Sequence, residues 1–120
     1  MPVSIQQESP QVVTVRVSGR LSEREWQGAL ADVLKLVPDG GHASVLVAAE
    51  AFAGWEPGAW DNLPSQKEFD ARIDRMAIVA APQWRDQALM FTGQGLRPVA
   101  IEFFTPAESA KARQWLAARR

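Results

Sequence analysis

The sequence predicts a single-domain α/β sandwich in which a mixed sheet of four to five strands is packed by about four helices. Residues Gln11 to Ser18, QVVTVRVS, alternate apolar and polar side chains, which is typical of a strand with one buried face. Two continuous apolar runs, Ser44 to Ala49 and Met76 to Ala81, are typical of central parallel strands covered on both faces. Helical patterns lie between these strands, and this order predicts βαβ units after an N-terminal β-hairpin.

The N-terminal half of the chain supplies the hairpin and the first helix. Residues Pro2 to Gln7 are predicted to form the first strand of the hairpin. Ser22 and Glu25 have the spacing of a capping box, and the apolar residues that follow recur at helical intervals as far as Val37. A second, polar helical segment is expected at about Ser65 to Arg72, between the two continuous apolar runs.

The C-terminal part supplies two helices and the last strand. Pro82 is predicted to lie in the first turn of a helix, where a proline needs no amide hydrogen. Residues Val99 to Phe104, VAIEFF, are predicted to form the last strand. Thr105 and Glu108 have the spacing of a second capping box, which predicts that a final helix begins there.

Composition excludes several classes of protein. The length of 120 residues is typical of one domain, and the formal net charge of −1 argues against a nucleic-acid partner. The chain has no cysteine, so it has neither a disulfide framework nor a thiolate metal site. The start of the chain lacks the pattern of a signal peptide, and no apolar run is long enough to span a bilayer. We therefore expect a soluble, cytoplasmic protein with no stable membrane association.

Residues 52 to 64, FAGWEPGAWDNLP, concentrate aromatic side chains among glycines and prolines. Because glycine and proline are rare inside regular elements, irregular backbone is predicted around Trp55, whereas Trp60 can begin a helix. Two interpretations follow. The tryptophans either pack over the sheet as a structural plug, or they form a lid or wall beside an apolar cleft, with the neighbouring glycines as hinges.

A second group of aromatic residues lies on the helix that begins at Pro82. Trp84 and Phe91 share one helical face with Ala88, which is typical of core packing but also suits the opposite wall of such a cleft. If the cleft exists, the residues predicted to bind its ligand are Phe52, Trp55, Trp60, Trp84 and Phe91.

Catalytic signatures are missing from the sequence. His42 is the only histidine, and it lies in a glycine-rich turn, where a surface position is expected. With one histidine and no cysteine, a zinc site is not expected, and the chain has no G-x-S-x-G nucleophile motif. We therefore predict no catalytic residue, no metal and no cofactor, and we expect that the protein is not an enzyme.

Several short motifs together resemble the SpoIIAA-like group of STAS domains. They are Phe52-x-Gly54-Trp55, Ala59-Trp60-Asp61, Arg75-Met76-Ala77-Ile78-Val79 and Trp84. The resemblance extends over nearly the whole chain and implies one such domain at residues 1–120, with a sheet of four or five strands. It also implies a relation to lipid-binding folds of the Sec14 or CRAL-TRIO type, and hence a small apolar or lipid-like ligand.

The wider STAS class implies a different activity, which is docking to partner proteins. In that class, docking is often switched by phosphorylation of a serine at the start of the helix after the third strand. This chain departs from the pattern, because no serine or threonine follows the SVLVAA run before Ser65. Two hypotheses remain: a non-enzymatic module that holds a small apolar ligand under residues 52–64, and a protein-interaction or homodimerisation domain without the phosphorylatable serine.

Overall fold

The computed structural model describes residues 3–9, 12–37, 42–56, 71–92 and 99–117. The strands and helices with bounds in these ranges are β1 Val3–Ser9, β2 Val12–Leu21, α1 Glu23–Leu36, β3 Ala43–Trp55, β4 Ile73–Ala80, α2 Arg85–Thr92, β5 Ala100–Phe104 and α3 Ser109–Ala117. Two short 3₁₀ turns, Pro82–Trp84 and Pro106–Glu108, lead directly into α2 and α3.

The five strands form one mixed sheet in the order β1-β2-β3-β4-β5. Strand β1 pairs antiparallel with β2, and the other neighbouring strands pair in parallel. The predicted α/β class and mixed sheet are therefore confirmed. Three helices have their bounds in the described ranges, against about four predicted. Most of the predicted helix at Ser65 to Arg72 lies outside these ranges, although Ala71 and Arg72 are helical.

Both faces of the sheet are covered by apolar packing. On β3, Val45 and Val47 join the cluster that includes the apolar stripe of α1, whereas Leu46 joins a second cluster with Ala112 and Leu116 of α3. Alternate residues of a strand point to opposite faces, so a central strand between two helical layers needs apolar residues at every position. This requirement explains the two continuous apolar runs in the sequence.

Helix α1 begins at the predicted capping box. The backbone N–H of Glu25 donates to Ser22 Oγ at 3.1 Å, and the backbone N–H of Ser22 donates to Glu25 Oε1 at 3.1 Å. These two bonds satisfy amides that the first helical turn leaves without partners. The apolar stripe of the helix is buried, including Trp26, which is 8% exposed and packs between helix and sheet.

Helix α3 covers the face of the sheet opposite to α1, called the second face below. Polar contacts as well as apolar packing hold it there. At its start, the N–H of Thr105 donates to Glu108 Oε1 at 3.1 Å, and this bond lowers the pKa of Glu108. At its end, Arg75 of β4 donates through Nη1 to the Trp115 carbonyl at 2.6 Å. The Arg75 guanidinium also lies 5.1 Å from the centre of the Trp115 ring, in a cation–π arrangement.

The same helix is joined to the first strand by an ion pair. Arg113 donates through Nη2 to Glu8 Oε1 at 2.9 Å and through Nε to Glu8 Oε2 at 3.3 Å. The hydrogen bond from Arg113 lowers the pKa of the Glu8 carboxyl, and its effect exceeds the opposing effect of partial burial. Helix α3 therefore makes polar contacts with both β1 and β4.

Thr14 is a buried polar residue of β2, and its replacement by valine is expected to stabilise the fold. The residue is 0% exposed, and no described residue lies within hydrogen-bonding distance and angle of Thr14 Oγ1, although a weak interaction with Glu8 contributes to the lowered pKa of that carboxyl. An unsatisfied buried hydroxyl costs about 1–3 kcal/mol, so Thr14→Val should raise the free energy of unfolding in urea by about 1 kcal/mol.

Thr105→Val is the matched control, because the Thr105 hydroxyl does have a partner, Glu108 Oε1 at 3.1 Å. This control should lose about 0.5–2 kcal/mol, which is the usual cost of removing a helix cap. A loss of stability in Thr14→Val would mean that the hydroxyl forms a useful bond with Glu8.

One expectation about the backbone is wrong. Irregular structure was predicted around Trp55, but residues 52–55 are the last four residues of β3. Phe52 pairs with Gly19 of β2, and Trp55 pairs with Leu21. The N–H of Glu56 then donates to the Leu21 carbonyl at 2.8 Å. The first part of the 52–64 segment is therefore held by main-chain pairing, and any hinge must lie beyond it.

Candidate functional site

Strand β3 extends further than its neighbour β4, and this difference in length creates the candidate site. The pairing between the two strands ends at Ala49 and Ala80. Strand β3 then continues to Trp55 and is paired with β2 alone. Beyond Ala49, the edge of β3 that faces β4 is no longer paired with it. The chain that follows β4 can therefore pack beside this edge.

Pro82 directs that chain toward the open side of β3. Proline lacks the N–H that a further strand residue would donate, and its fixed φ favours the first position of a helical turn. Ala81 is extended, with φ −58° and ψ 144°, and its carbonyl accepts a hydrogen bond from the N–H of Trp84 at 3.0 Å. The predicted place of Pro82 in a first turn is thus confirmed, and Trp84 is brought close to the end of β3.

The side chains of Phe52 and Trp84 meet in an edge-to-face contact. Their ring centroids are 5.1 Å apart and their planes are inclined by 74°. This geometry is favourable, because the positive edge of one ring faces the negative face of the other. Both rings pack against the apolar core, but both are only half-buried. The contact, called the aromatic pair below, therefore belongs partly to the core and partly to the surface.

Gly54 lies next to Trp84 of the aromatic pair and has a conformation that few other residues adopt. Its φ is +127°, and a β-carbon at this position would lie 3.6 Å from Trp84 Cη2. Since that distance is an ordinary contact, the constraint comes from the backbone angle rather than from lack of space. The sequence alone predicts that Gly54 is a hinge. A glycine inside a strand pattern is also the signal of a bulge, and the pairing of β2 with β3 shifts here, between Gly19 and Arg20.

The structure brings together two of the five predicted ligand-binding residues, Phe52 and Trp84. Trp55 belongs to β3 and Phe91 belongs to α2, but the side chains of both lie outside the described part of the structure. Trp60 lies wholly outside the described ranges, as does most of the 52–64 segment. The aromatic pair is therefore the part of the predicted site that has a defined geometry.

The aromatic pair is bordered by exposed charged residues. Arg85 and Asp86 follow Trp84 in the chain, Glu56 follows β3, and Arg20 pairs with Gly54, and all four residues are exposed. His42, the one histidine, is exposed as predicted and lies at the opposite end of the sheet, with Nδ1 3.2 Å from Asp74 Oδ1. Within the described ranges, no group of three or more acidic, histidine or cysteine side chains is placed to hold a metal ion.

No helix in these ranges is both long enough and apolar enough to cross a membrane.

The sheet order also bears on ligand binding. In open α/β sheets, a binding crevice usually forms where the order of the parallel strands reverses. Among the described strands, β2 to β5 follow one another in chain order, without such a reversal. A cleft at the aromatic pair would therefore depend on the unequal lengths of β3 and β4 and on the chain after Glu56.

Solved structures with the same fold cover nearly the whole chain. An uncharacterised protein of the DUF3478 family with a SpoIIAA-like fold, from Shewanella loihica PV-4, is 18% identical with a TM-score of 0.69, over 96% of this chain and 92% of that one. The anti-sigma factor antagonist SpoIIAA in its unphosphorylated form is 14% identical with a TM-score of 0.58, over 97% and 99% of the two chains. The Bacillus cell fate determinant SpoIIAA in the phosphorylated form is 17% identical with a TM-score of 0.51, over 91% and 96%. At these identities, the likeness shows the fold.

Comparison with curated proteins gave no match. The family model described as SpoIIAA-like matches residues 12–117, from the second strand through the last helix. The matched range includes every element around the aromatic pair. The chain belongs to the SpoIIAA-like family.

Proposed function

We propose that this chain is a protein-interaction module that presents the aromatic pair, Phe52 and Trp84, to a partner protein. The observation that carries the proposal is that two large rings are held half-exposed at the end of a paired strand. Aromatic side chains on rigid backbone lose little conformational entropy on binding, and they are enriched among the residues that dominate protein interfaces. An antagonist of an anti-sigma factor is among the proteins with a similar fold, which supports a protein partner.

We do not expect phosphorylation near the end of β3 to regulate this docking. The sequence from Val45 to Pro64 contains neither serine nor threonine, so the end of β3 and the residues directly after it offer no hydroxyl to a kinase. Docking through the aromatic pair is therefore expected to be constitutive.

A second candidate is that the same rings hold a small apolar ligand beneath the later part of the 52–64 segment. The half-buried state of both rings favours it, because aromatic side chains that line a pocket contact core and ligand together. The strand position of residues 52–55 limits any mobile cover to residues 57–64. A fixed aromatic surface fits this candidate less well than it fits a protein partner.

Replacing Trp84 with alanine tests both candidates. Trp115→Ala is the matched control, because Trp115 is also a half-buried tryptophan but packs with Phe104 on the second face of the sheet. Proteins retained on the immobilised chain from a lysate of the source organism would be identified by mass spectrometry. Proteins that bind the wild type and Trp115→Ala, but bind Trp84→Ala at least about tenfold less, support the proposal.

Native mass spectrometry of the same three proteins tests the ligand candidate. A co-purifying small molecule that Trp84→Ala loses and Trp115→Ala keeps would favour the apolar ligand over the protein partner. If Trp84→Ala and Trp115→Ala give the same result in both measurements, the aromatic pair has no binding role and the proposed function is wrong.

A further inference from the structure

Among the described strands, β1 forms one edge of the sheet. Among the described strands it pairs with β2 alone, so its outer edge has no strand partner there. Natural proteins commonly protect such edges with lysine, proline or a covering element, because exposed main-chain groups accept strands from other chains. The seven residues of β1, VSIQQES, include no lysine, arginine or proline.

A groove of about 400 Å³ lies beside this edge, between β1 and α1. Its lining consists of Val3, Ser4, Ile5, Glu25, Gly28, Ala29 and Asp32. Val3 and Ile5 are half-buried and pack against the core, so the floor of the groove is apolar. The groove, called the β1–α1 groove below, is separated from the aromatic pair by β2.

Gly28 keeps the β1–α1 groove open. A β-carbon at this position would meet no other atom within 4 Å, and the residue is exposed although it lies in the middle of α1. Glycine inside a helix costs about 0.8–1 kcal/mol relative to alanine. Helix α1 therefore carries a residue that lowers its stability, at a position where any side chain would enter the groove.

The rim of the groove is acidic. Glu25 and Asp32 are seven residues apart on α1, which places them on one side of the helix and roughly 10.5 Å apart along its axis. The cation nearest Asp32 is Lys35, whose Nζ lies 3.7 Å away, but both side chains are more than half exposed. Because such exposed pairs are weak, Asp32 can exchange this contact for a cation from a partner.

We propose that β1 accepts an extended segment of a partner protein as an added strand, and that this segment carries basic residues on both sides of an apolar residue. The apolar side chain would occupy the space above Gly28, and the basic side chains would meet Asp32 and the second carboxylate oxygen of Glu25, since Glu25 Oε1 already accepts from Ser22. Side chains two residues apart on a strand point to the same face, so the segment has the pattern basic-x-apolar-x-basic. Its two basic residues are separated by about 13 Å, a span that long side chains can match to the two carboxylates.

A second copy of this chain fits the groove less well. Pairing between two β1 strands would bring no cation to either groove, since β1 contains no basic residue. The acidic residues of the two copies would face each other without compensation, and like charges across an interface are unfavourable. The complementary occupant is therefore a basic strand from another protein.

Peptide binding to the full chain tests the proposal. The probe is the fluorescein-labelled, end-capped peptide Ser-Lys-Thr-Val-Thr-Lys-Ser, and its matched control has glutamate in place of both lysines. Fluorescence anisotropy should show that the lysine peptide binds at least about tenfold more tightly than the glutamate peptide. This difference in affinity should become smaller as the salt concentration is raised. Methylating alternate backbone nitrogens along the edge-facing side of the lysine peptide should abolish binding, because added strands are held by main-chain hydrogen bonds.

Variants of α1 locate the binding surface. Gly28→Leu fills the groove while improving helix propensity, so it should lower the affinity at least about tenfold without lowering the unfolding temperature. Gln27→Leu is the control at a neighbouring position that does not line the groove, and it should bind as the wild type does. Asp32→Asn should weaken binding and reduce its salt dependence.

Three results would overturn the proposal. The first is equal binding of the lysine and glutamate peptides, including no binding of either. The second is unchanged affinity in Gly28→Leu. The third is a dimer of the chain alone that Gly28→Leu dissociates in analytical ultracentrifugation, since the groove would then be filled by a second copy. The Trp84→Ala variant should bind the peptide normally, which separates this test from that of the proposed function.

Discussion

Leu46→Ala is expected to destabilise the protein by about 2–5 kcal/mol, the usual cost of truncating a fully buried leucine. Leu46 is 1% exposed and lies at the centre of the cluster between β3, β4 and α3. Its neighbours include Ala77 and Ala112, whose short side chains cannot extend into the space left behind. Denaturation in urea or guanidinium, followed by circular dichroism, measures the change in the free energy of unfolding.

Leu36→Ala is the matched control for this prediction. Leu36 ends α1 and is 37% exposed, so the same truncation removes less burial and should lower the free energy of unfolding by only about 1 kcal/mol. Equal effects of the two substitutions would mean that the second face of the sheet is not packed by α3. The comparison therefore tests whether the continuous apolar run of β3 is covered on both faces.

Gly54→Ala is expected to destabilise the protein by about 1–3 kcal/mol, because residues with a β-carbon rarely adopt a φ of +127°. Relaxing the angle would disturb the pairing of Arg20 with Gly54 and move the backbone below the aromatic pair. The substitution should therefore also weaken any binding that depends on Trp84. Thermal and chemical unfolding measure the first effect, and the retention assay used for Trp84→Ala measures the second.

Gly28→Ala provides a control of opposite sign. Gly28 is helical and has open space around it, so alanine should raise the free energy of unfolding by about 1 kcal/mol. The two substitutions are chemically identical, and only the backbone conformation separates their expected effects. If Gly54→Ala were as stable as the wild type, the end of β3 could adopt another backbone conformation without cost.

Local sequence signals predicted most of the fold because they act over a few residues. The capping box of Ser22 and Glu25 requires a spacing of three, and both of its hydrogen bonds form. The alternating valines from Val13 to Val17 are 1–3% exposed, as a buried strand face requires, but Thr14 on the opposite face is buried as well, so the alternation underestimates how far β2 is covered. Pro82 begins a helical turn because its fixed φ and missing N–H suit the first helical position, which is also a local effect.

The aromatic pair could be predicted only in part, because its geometry depends on interactions between distant residues. Glycine, alanine and tryptophan around residue 54 give a weak strand signal, and pairing with Leu21 of β2 overrides it. The contact between Phe52 and Trp84 also requires β4 to end at Ala80 while β3 continues. The sequence predicts both residues as candidates, but on opposite walls of a cleft rather than in one contact.

The ion pair between Arg113 and Glu8 joins residues that are 105 positions apart in the chain. Because its pKa is lowered, Glu8 contributes stability that is present above the ordinary carboxyl pKa of about 4.3 and is lost as acidification proceeds through the lowered value. The contribution is at most about 1 kcal/mol for a pair this accessible to solvent. Only acid strong enough to pass below the usual carboxyl range therefore uncouples strand β1 from helix α3, whereas the residues of the two apolar clusters include no ionisable group and do not titrate.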